Sequence, residues 1–504
     1  MEVLIGERLT LEDLEAVVYA RRPVALAPAA AHRVDRARSF VQELARSGRA
    51  VYGITTGVGG LAAVAVPVEQ TAALQANIVR SHAAGVGEPL PPEAVRAMML
   101  LRAHALALGY SGVRLETLHT LIGMLNAGIV PLIPSQGSVG ASGDLAPLAH
   151  LALAVMGEGQ VMTGEGVRAA AEALQEAGLR PVVLAAKEGV ALINGTQMMT
   201  AVGALAVLRA EVAARTADVA GAMSAEALLA LPAAFDVDLH RVRPQAGQQR
   251  SAANLRRLLA GSRLARPADR VQDAYALRCL PQVHGAARDG IAYARQVVET
   301  EINSATDNPL VFPEAEKVVS GGNFHGQPVA LAMDVLAIAI AALGTIAERR
   351  IDRLVNPQSS GLPPFLTRGG GLHCGLMLAQ YTAAALVAEN KVLAHPASVD
   401  SIPTSGNQED HVSMGSIAAR KASRVVEHVE QVVGIEALCA AQALDFRGVE
   451  EAAPAVRAAC RAVRRVIPPL EGDRVLAGDL ARARDLVRQG TLLKAAEEVT
   501  GALE

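Results

Sequence analysis
Apolar residues recur three and four positions apart along most of the 504-residue chain, and this period predicts helix nearly everywhere. Thr10-Leu11-Glu12-Asp13 reads as a capping box opening a helix to about Tyr19. Further helices are expected over 33–47, 72–82, 93–108, 115–127 and 145–156. From about Gln197 the periodic stretches lengthen, to 198–229, 285–303, 328–354, 374–394 and 414–444, as in a packed bundle. Val182-Val183-Leu184 is one of few short strand candidates, and the glycine- and proline-rich run from Gly361 to Gly371 reads as a break between bundle helices. The last stretch, 450–503, reads as short Arg- and Glu-rich helices that cap the outside. The expected class is mainly α, with a boundary near residue 195 between a loop-rich N-terminal domain, 1–195, and a helical bundle with its capping helices, 196–504.

Composition narrows the function. Half of the residues are hydrophobic and the formal net charge is −3, so a large core is available and nothing points to nucleic acid or an anionic membrane. Aromatics make up only 2% of the chain, with no Trp, so a tyrosine or phenylalanine inside a motif carries more information than usual. Lys187 and Lys391 lack any surrounding pattern for pyridoxal phosphate, the usual electron sink for amino acid chemistry, and no external cofactor is expected. Cys279, Cys374, Cys439 and Cys460 form no CxxC pair and read as reduced, mostly buried thiols. The start shows no basic region followed by an apolar run, which leads to the expectation of a cytoplasmic protein. The nearest thing to a membrane span, 328–346, is interrupted by Asp334 and continues through Glu348-Arg349-Arg350 in the same period, as a buried bundle helix would.

Candidate chemistry centres on the run from Pro134 to His150. Within it Ala141-Ser142-Gly143 is sterically almost bare, which permits a turn tight enough for the Gly143 nitrogen to reach the Ala141 carbonyl carbon. Loss of one water would close a five-membered ring; loss of the Ser142 hydroxyl as a second would leave a methylidene-imidazolone, a strong electrophile. Asp144 is placed to cap a helix through Leu145, Ala146 and Pro147, whose positive end would then sit beside the ring. Three plainer readings compete: an anion-cradling loop, a nucleophilic serine and an ordinary turn. No Gly-Lys-Ser/Thr follows and no Gly-x-Gly-x-x-Gly aligns, so nothing specific supports a nucleotide phosphate. A nucleophile elbow wants glycine two residues either side of serine, whereas Ser142 has Gly140 before it but Asp144 after it, and Ser138 fails too.

The run Gly137-Ser138-Val139-Gly140-Ala141-Ser142-Gly143-Asp144-Leu145-Ala146-Pro147-Leu148-Ala149-His150 resembles, nearly residue for residue, the signature of the aromatic amino acid ammonia-lyases, and the likeness extends in patches from about Tyr52 to about Gly415. The resemblance implies a self-formed 4-methylidene-imidazol-5-one, with Ala141 and Gly143 cross-linked and Ser142 turned into 2,3-didehydroalanine, and no metal. It also implies the mainly helical fold of the aspartase and fumarase group, in a homotetramer whose active sites draw on more than one chain.

The same resemblance assigns roles. Tyr52, in a glycine-rich loop where packing would be the ordinary reading, resembles the lid tyrosine that takes the β-proton. Ser81-His82 resembles the substrate-selecting pair in its histidine form, since an imidazole can exchange a hydrogen bond with a substrate imidazole that a phenyl ring would leave unpaired. Glu409 resembles the carboxylate found in histidine-acting members. Glu409-Asp410-His411 alone would suggest a metal, but neighbouring side chains on a helix point apart. Asn194, Gln272, Tyr275 and Arg278 complete the implied pocket, the planar fork of Arg278 suiting a substrate carboxylate, although by itself Arg278 would read as solvating a bundle surface. Tyr275 and Arg278 are three apart and share a helical face. Ala274 and Leu280 depart from the family pattern of proline and glutamine. Phe324 is expected against the pocket. The implied reaction removes ammonia from L-histidine to give trans-urocanate, the first step of histidine degradation. A tyrosine or phenylalanine lyase, a 2,3-aminomutase, or a non-enzymatic anion-binding scaffold are the alternatives.

Overall fold
In the computed structural model the described residues are 2–47, 50–265 and 271–504, and they are mainly helical. The first helices are α1 (Leu11–Val18), α2 (Pro28–Arg46), α3 (Thr71–His82), α4 (Pro92–Ala107), α5 (Leu115–Ala127) and α6 (Leu145–Val155). The box at Thr10 forms as its residues dictate: the Thr10 hydroxyl accepts from Asp13 N while the Asp13 carboxylate accepts from Thr10 N. α4 is buried all round from Ala94 to Ala107, including Arg96, Arg102 and His104. Short α7 (Ala170–Glu176) and α8 (Glu188–Ile193) then lead into the long α9 (Gln197–Ala227).

Strands are short. Val86–Pro89, just past α3, pairs antiparallel with Pro134–Gln136 at the head of the glycine-rich run, which brings the end of α3 beside that run. The strand expected at Val182-Val183-Leu184 does not form. Val182 and Leu184 are buried but Val183 is 81% exposed, and its carbonyl accepts from Arg114 Nη2 at 2.6 Å instead of from a ladder. A side chain from the N-cap of α5 satisfies what a neighbouring strand would have satisfied.

The chain divides into two compact units, each made of three stretches: Met1–Leu205, Arg295–Met333 and Pro396–Arg420 in the first, and Ala206–Ala294, Asp334–His395 and Lys421–Glu504 in the second. The second unit has a charged core. His284 is buried, its Nδ1 donating to Asp218 at 2.7 Å and its Nε2 lying 3.3 Å from Arg350 Nη2, and Arg350 forks onto Glu436 at 2.6 and 2.9 Å. A ring that donates to a carboxylate and accepts from a guanidinium is neutral, and burial lowers its pKa accordingly. Helices Pro454–Val466, Ala477–Arg488 and Thr491–Thr500 follow where the short Arg- and Glu-rich helices are expected.

Among the described residues two helices, α9 and Gln327–Val355, are long and apolar enough to cross a membrane, but 78% and 61% of their apolar windows are buried inside the protein. Of the four free cysteines only Cys439 and Cys460 are buried; Cys279 is partly covered and Cys374 exposed, fewer covered thiols than composition suggested.

Candidate active site
The turn through Ala141-Ser142-Gly143 is gripped from two sides within the first unit. Gly140 and Gly143 have φ of +67° and +75°, left-handed values that favour glycine. On one side Ser413 Oγ donates to Gly140 O at 2.9 Å, Met414 N to Val139 O at 2.8 Å and Ser416 Oγ to Ser138 O at 2.6 Å. On the other, Asp144 N donates to Gly195 O at 2.7 Å, and Asn194 Nδ2 donates to Ser142 O at 2.9 Å. No hydrogen bond among the described residues uses the Gly143 N–H. The nitrogen needed for ring closure is therefore unengaged while the backbone around it is fixed.

Asp144 occupies the N-cap position of α6 but makes no side-chain bond to that helix. Its φ of −97° and ψ of 57° lie outside the extended region a capping residue needs. The carboxylate reaches the next long helix instead, Oδ2 accepting from Met199 N at 2.8 Å and Oδ1 from Ser138 Oγ at 3.1 Å. Burial pushes the Asp144 carboxyl up to about 7, against the opposing pull of Met199 N–H and the Ser138 hydroxyl.

A cavity of about 720 Å³ opens in front of this turn, and Tyr52, His82, Ser142, Asn194 and Glu409 all line it. Residues from five separate segments thus meet in one place, with apolar walls from Leu74, Ile78, Val190 and Ile193. Tyr52 Oη accepts from Gly59 N at 3.0 Å, and Gly60 N donates to Ser405 Oγ at 3.2 Å, fastening the glycine-rich loop to the turn that bears Glu409. Glu409 accepts from Ser142 Oγ through Oε1 and from Thr404 Oγ1 through Oε2, both at 2.7 Å. His82 ends α3 with Nδ1 2.8 Å from Ile78 O. A carbonyl only accepts, so Nδ1 carries a proton, and in the singly protonated tautomer this leaves Nε2 as the acceptor.

The remaining candidates lie elsewhere. Gln272, Tyr275 and Arg278 belong to the second unit, where the Arg278 guanidinium stands 4.6 Å from the Tyr275 ring centroid and Tyr275 is 70% exposed. Phe324 is half-buried in a turn of the first unit, and none of these four lines the cavity. Among the described residues no cluster of three or more His, Cys, Asp or Glu could hold a metal ion; the His411 ring lies 5.7 Å from that of His325.

Sequence reasoning passed over the layer behind Asn194. Fully buried Arg102 donates to Asn194 O at 2.8 Å, and burial lowers its pKa to about 10 in spite of Asp307. Lys187, also fully buried, pairs with Asp307 at 2.6 Å, and Glu188 accepts from Thr117 Oγ1 and Arg114 Nη2 at 2.6 Å each. The available signal was charge inside an apolar run: Lys187-Glu188 directly before Gly189-Val190-Ala191-Leu192-Ile193, and Arg102 within the apolar α4. Lys187 and Glu188 meet the need of a buried charge for an opposite partner, whereas Arg102 has the Asn194 carbonyl, with Nε and Nη2 left without a hydrogen bond.

Residues 9–465 match the aromatic amino acid lyase family. The chain belongs to the aromatic amino acid lyases. This lyase is 59% identical over 504 residues to a histidine ammonia-lyase of Symbiobacterium thermophilum, covering 100% of this chain and 99% of that one. Among solved structures it resembles histidine ammonia-lyase from Trypanosoma cruzi, with 48% identity, a TM-score of 0.93, and 99% and 96% of the two chains covered. It also resembles tyrosine aminomutase from Streptomyces globisporus, with 40% identity, a TM-score of 0.96 and both chains covered in full. The mainly helical, fumarase-like fold is that of the family, whose electrophile is built from the chain itself without an external cofactor. The residues of this lyase fit that group: a bare, glycine-flanked turn, an unengaged Gly143 nitrogen, and beside it Asn194, whose buried Oδ1 has no hydrogen-bond partner.

Proposed function
We propose that this lyase is a histidine ammonia-lyase, eliminating ammonia from L-histidine to give trans-urocanate. The observation that carries the reading is the meeting of Ser142, Glu409 and His82 in one cavity. A substrate imidazole brings an N–H that His82 Nε2 accepts and a basic ring that Glu409 pairs with; a phenyl ring would leave both polar groups unmatched. The β-proton of an amino acid is weakly acidic and ammonia leaves poorly. The methylidene-imidazolone formed from Ala141, Ser142 and Gly143 supplies the electron-withdrawing pull that lowers both barriers. Tyr52, which lines the cavity, takes the β-proton onto Oη as its phenolate and becomes the phenol, and Asn194 steadies the turn through the Ser142 carbonyl.

We place the enzyme in the cytoplasm as a homotetramer with active sites shared between chains. Gln272, Tyr275, Arg278 and Phe324 then serve a neighbouring copy, Arg278 forking onto the substrate carboxylate; their position outside the cavity and the exposure of Tyr275 support this.

The test is to follow urocanate absorbance with L-histidine, beside phenylalanine, tyrosine and a search for β-amino acids, in wild type and Ser142→Ala. Wild type is expected to prefer histidine and to weigh two waters less than its sequence. Ser142→Ala is expected to keep the fold and lose most activity together with the near-ultraviolet absorbance of the ring. A fully active variant refutes the assignment of the electrophile, and a preference for tyrosine with a β-amino product would favour an aminomutase.

A further inference from the structure
Gln75 is fully buried in the middle of α3, and both ends of its amide are engaged. Nε2 donates to Gly53 O at 3.2 Å, and Oε1 accepts from Val190 N at 3.1 Å. Gly53 follows Tyr52 in the chain, Val190 lies on the helix that ends at Asn194, and α3 itself ends at His82. One side chain therefore joins the three segments that carry the candidate base, the candidate selector and the residue holding the Ser142 carbonyl. The junction has little slack: a Cβ on Gly189 would stand 2.5 Å from Gln75 O, and one on Gly53 3.3 Å from Val190 Cγ2. Gly53 also has φ of +62°, so the peptide next to Tyr52 is held in a conformation that the pinned carbonyl selects.

We propose that Gln75 is a positioning residue, which sets Tyr52 over the cavity by clamping the Gly53 carbonyl to α3 and α8. The proposal rests on the reading of Tyr52 as the proton acceptor. It assigns Gln75 no contact with substrate. An amide is required because the two partners differ in sense: Gly53 offers an acceptor and Val190 a donor, and few neutral side chains of this length answer both. Glutamate would still serve Val190 but would set its oxygens against the Gly53 carbonyl. Methionine matches the length and serves neither.

The experiment compares Gln75→Met and Gln75→Glu with wild type, and repeats both in a Tyr52→Phe background. Near-ultraviolet absorbance and intact mass report whether the Ala141-Ser142-Gly143 group has formed. Both single variants are expected to form it and to keep KM within about threefold, while kcat falls by roughly 10²-fold, the size of effect that a displacement of about 1 Å produces in an oriented group. In the Tyr52→Phe background the same substitutions are expected to change kcat by less than about twofold, because two residues acting through one step are not additive. Unchanged kcat in both variants, an undiminished loss in the Tyr52→Phe background, failure to form the group, or failure of both variants to fold would each overturn the proposal. Wild type inactive on histidine, tyrosine and phenylalanine alike would instead overturn the functional reading, and this role with it.

Discussion

Gly143→Ala sets two costs apart when compared with Gly128→Ala. The glycines have nearly the same φ, +75° and +72°. An alanine in that left-handed region costs about 1–2 kcal/mol wherever it stands. Around Gly128 an added Cβ meets nothing within 4 Å, so Gly128→Ala should lose that amount and no more. Around Gly143 the Cβ would lie 2.9 Å from the Gly195 Cα and closer still to its carbonyl carbon and oxygen. These are backbone atoms and cannot swing aside. Gly195 cannot easily retreat either, because its own Cβ position is 2.8 Å from Thr306 Oγ1 and 3.1 Å from Arg102 Nη1. Forcing an atom into such packing adds about 1–3 kcal/mol, for a total of about 2–5 kcal/mol. The added strain falls on the atoms that must approach for the ring to close. Intact mass over time after synthesis should therefore show Gly143→Ala arrested at the full sequence mass, while Gly128→Ala becomes two waters lighter at the wild-type rate. Thermal melting should rank wild type, Gly128→Ala, then Gly143→Ala. A Gly143→Ala protein that loses both waters at the normal rate and melts with Gly128→Ala would refute the steric argument.

His82→Leu removes the acceptor for a substrate ring N–H, and Glu409→Gln its charged partner; each should lower kcat/KM for histidine by roughly 10–100-fold, the cost of about 1–3 kcal/mol for one unmatched buried polar group, with a smaller loss for phenylalanine. Competition assays with the two amino acids check this, and an equal loss for both would count against selection by these residues. His104 is buried, with Nδ1 accepting from Gly6 N at 3.3 Å, and burial lowers its pKa from 6.5 to about 4. Its neutral form is the native one, so its contribution is complete above pH 6.5 and is lost as pH falls from there toward 4. Two and a half units correspond to on the order of 3 kcal/mol. Melting temperature against pH should fall less steeply over that window in His104→Gln, which keeps an acceptor for Gly6; superimposable slopes would exclude the histidine as the cause.

Much of the helical layout was legible because apolar period and caps act locally. The expected span of 115–127 coincides with α5, and the Thr10 box closes with the two reciprocal bonds its spacing requires. Val182-Val183-Leu184 misled because β-branched composition describes a residue's fit to a sheet and says nothing about a neighbouring strand; Arg114, far away in sequence, supplied the hydrogen bond. Asp144 misled in a similar way. Its position before α6 was readable, whereas the backbone angles that turn its carboxylate toward Met199 depend on the Gly195 contact. The convergence of Tyr52, His82, Asn194 and Glu409 on Ser142 came from motif likeness, since no periodicity relates segments this far apart in the chain. Gln75, Arg102 and Lys187 carried no motif at all. Their meaning lies in being polar where the surroundings are closed to water.

The bond between Ser142 Oγ and Glu409 Oε1 has a bearing on timing. The hydroxyl that donates it is the one expelled when the ring is completed. A freshly synthesised chain thus has a hydroxyl donating to each oxygen of the Glu409 carboxylate, Ser142 to one and Thr404 to the other. Expulsion of that hydroxyl frees one oxygen in the same event that creates the electrophile. On the proposed role of Glu409, the step that makes the electrophile also removes a competing donor from the oxygen that would meet the substrate ring.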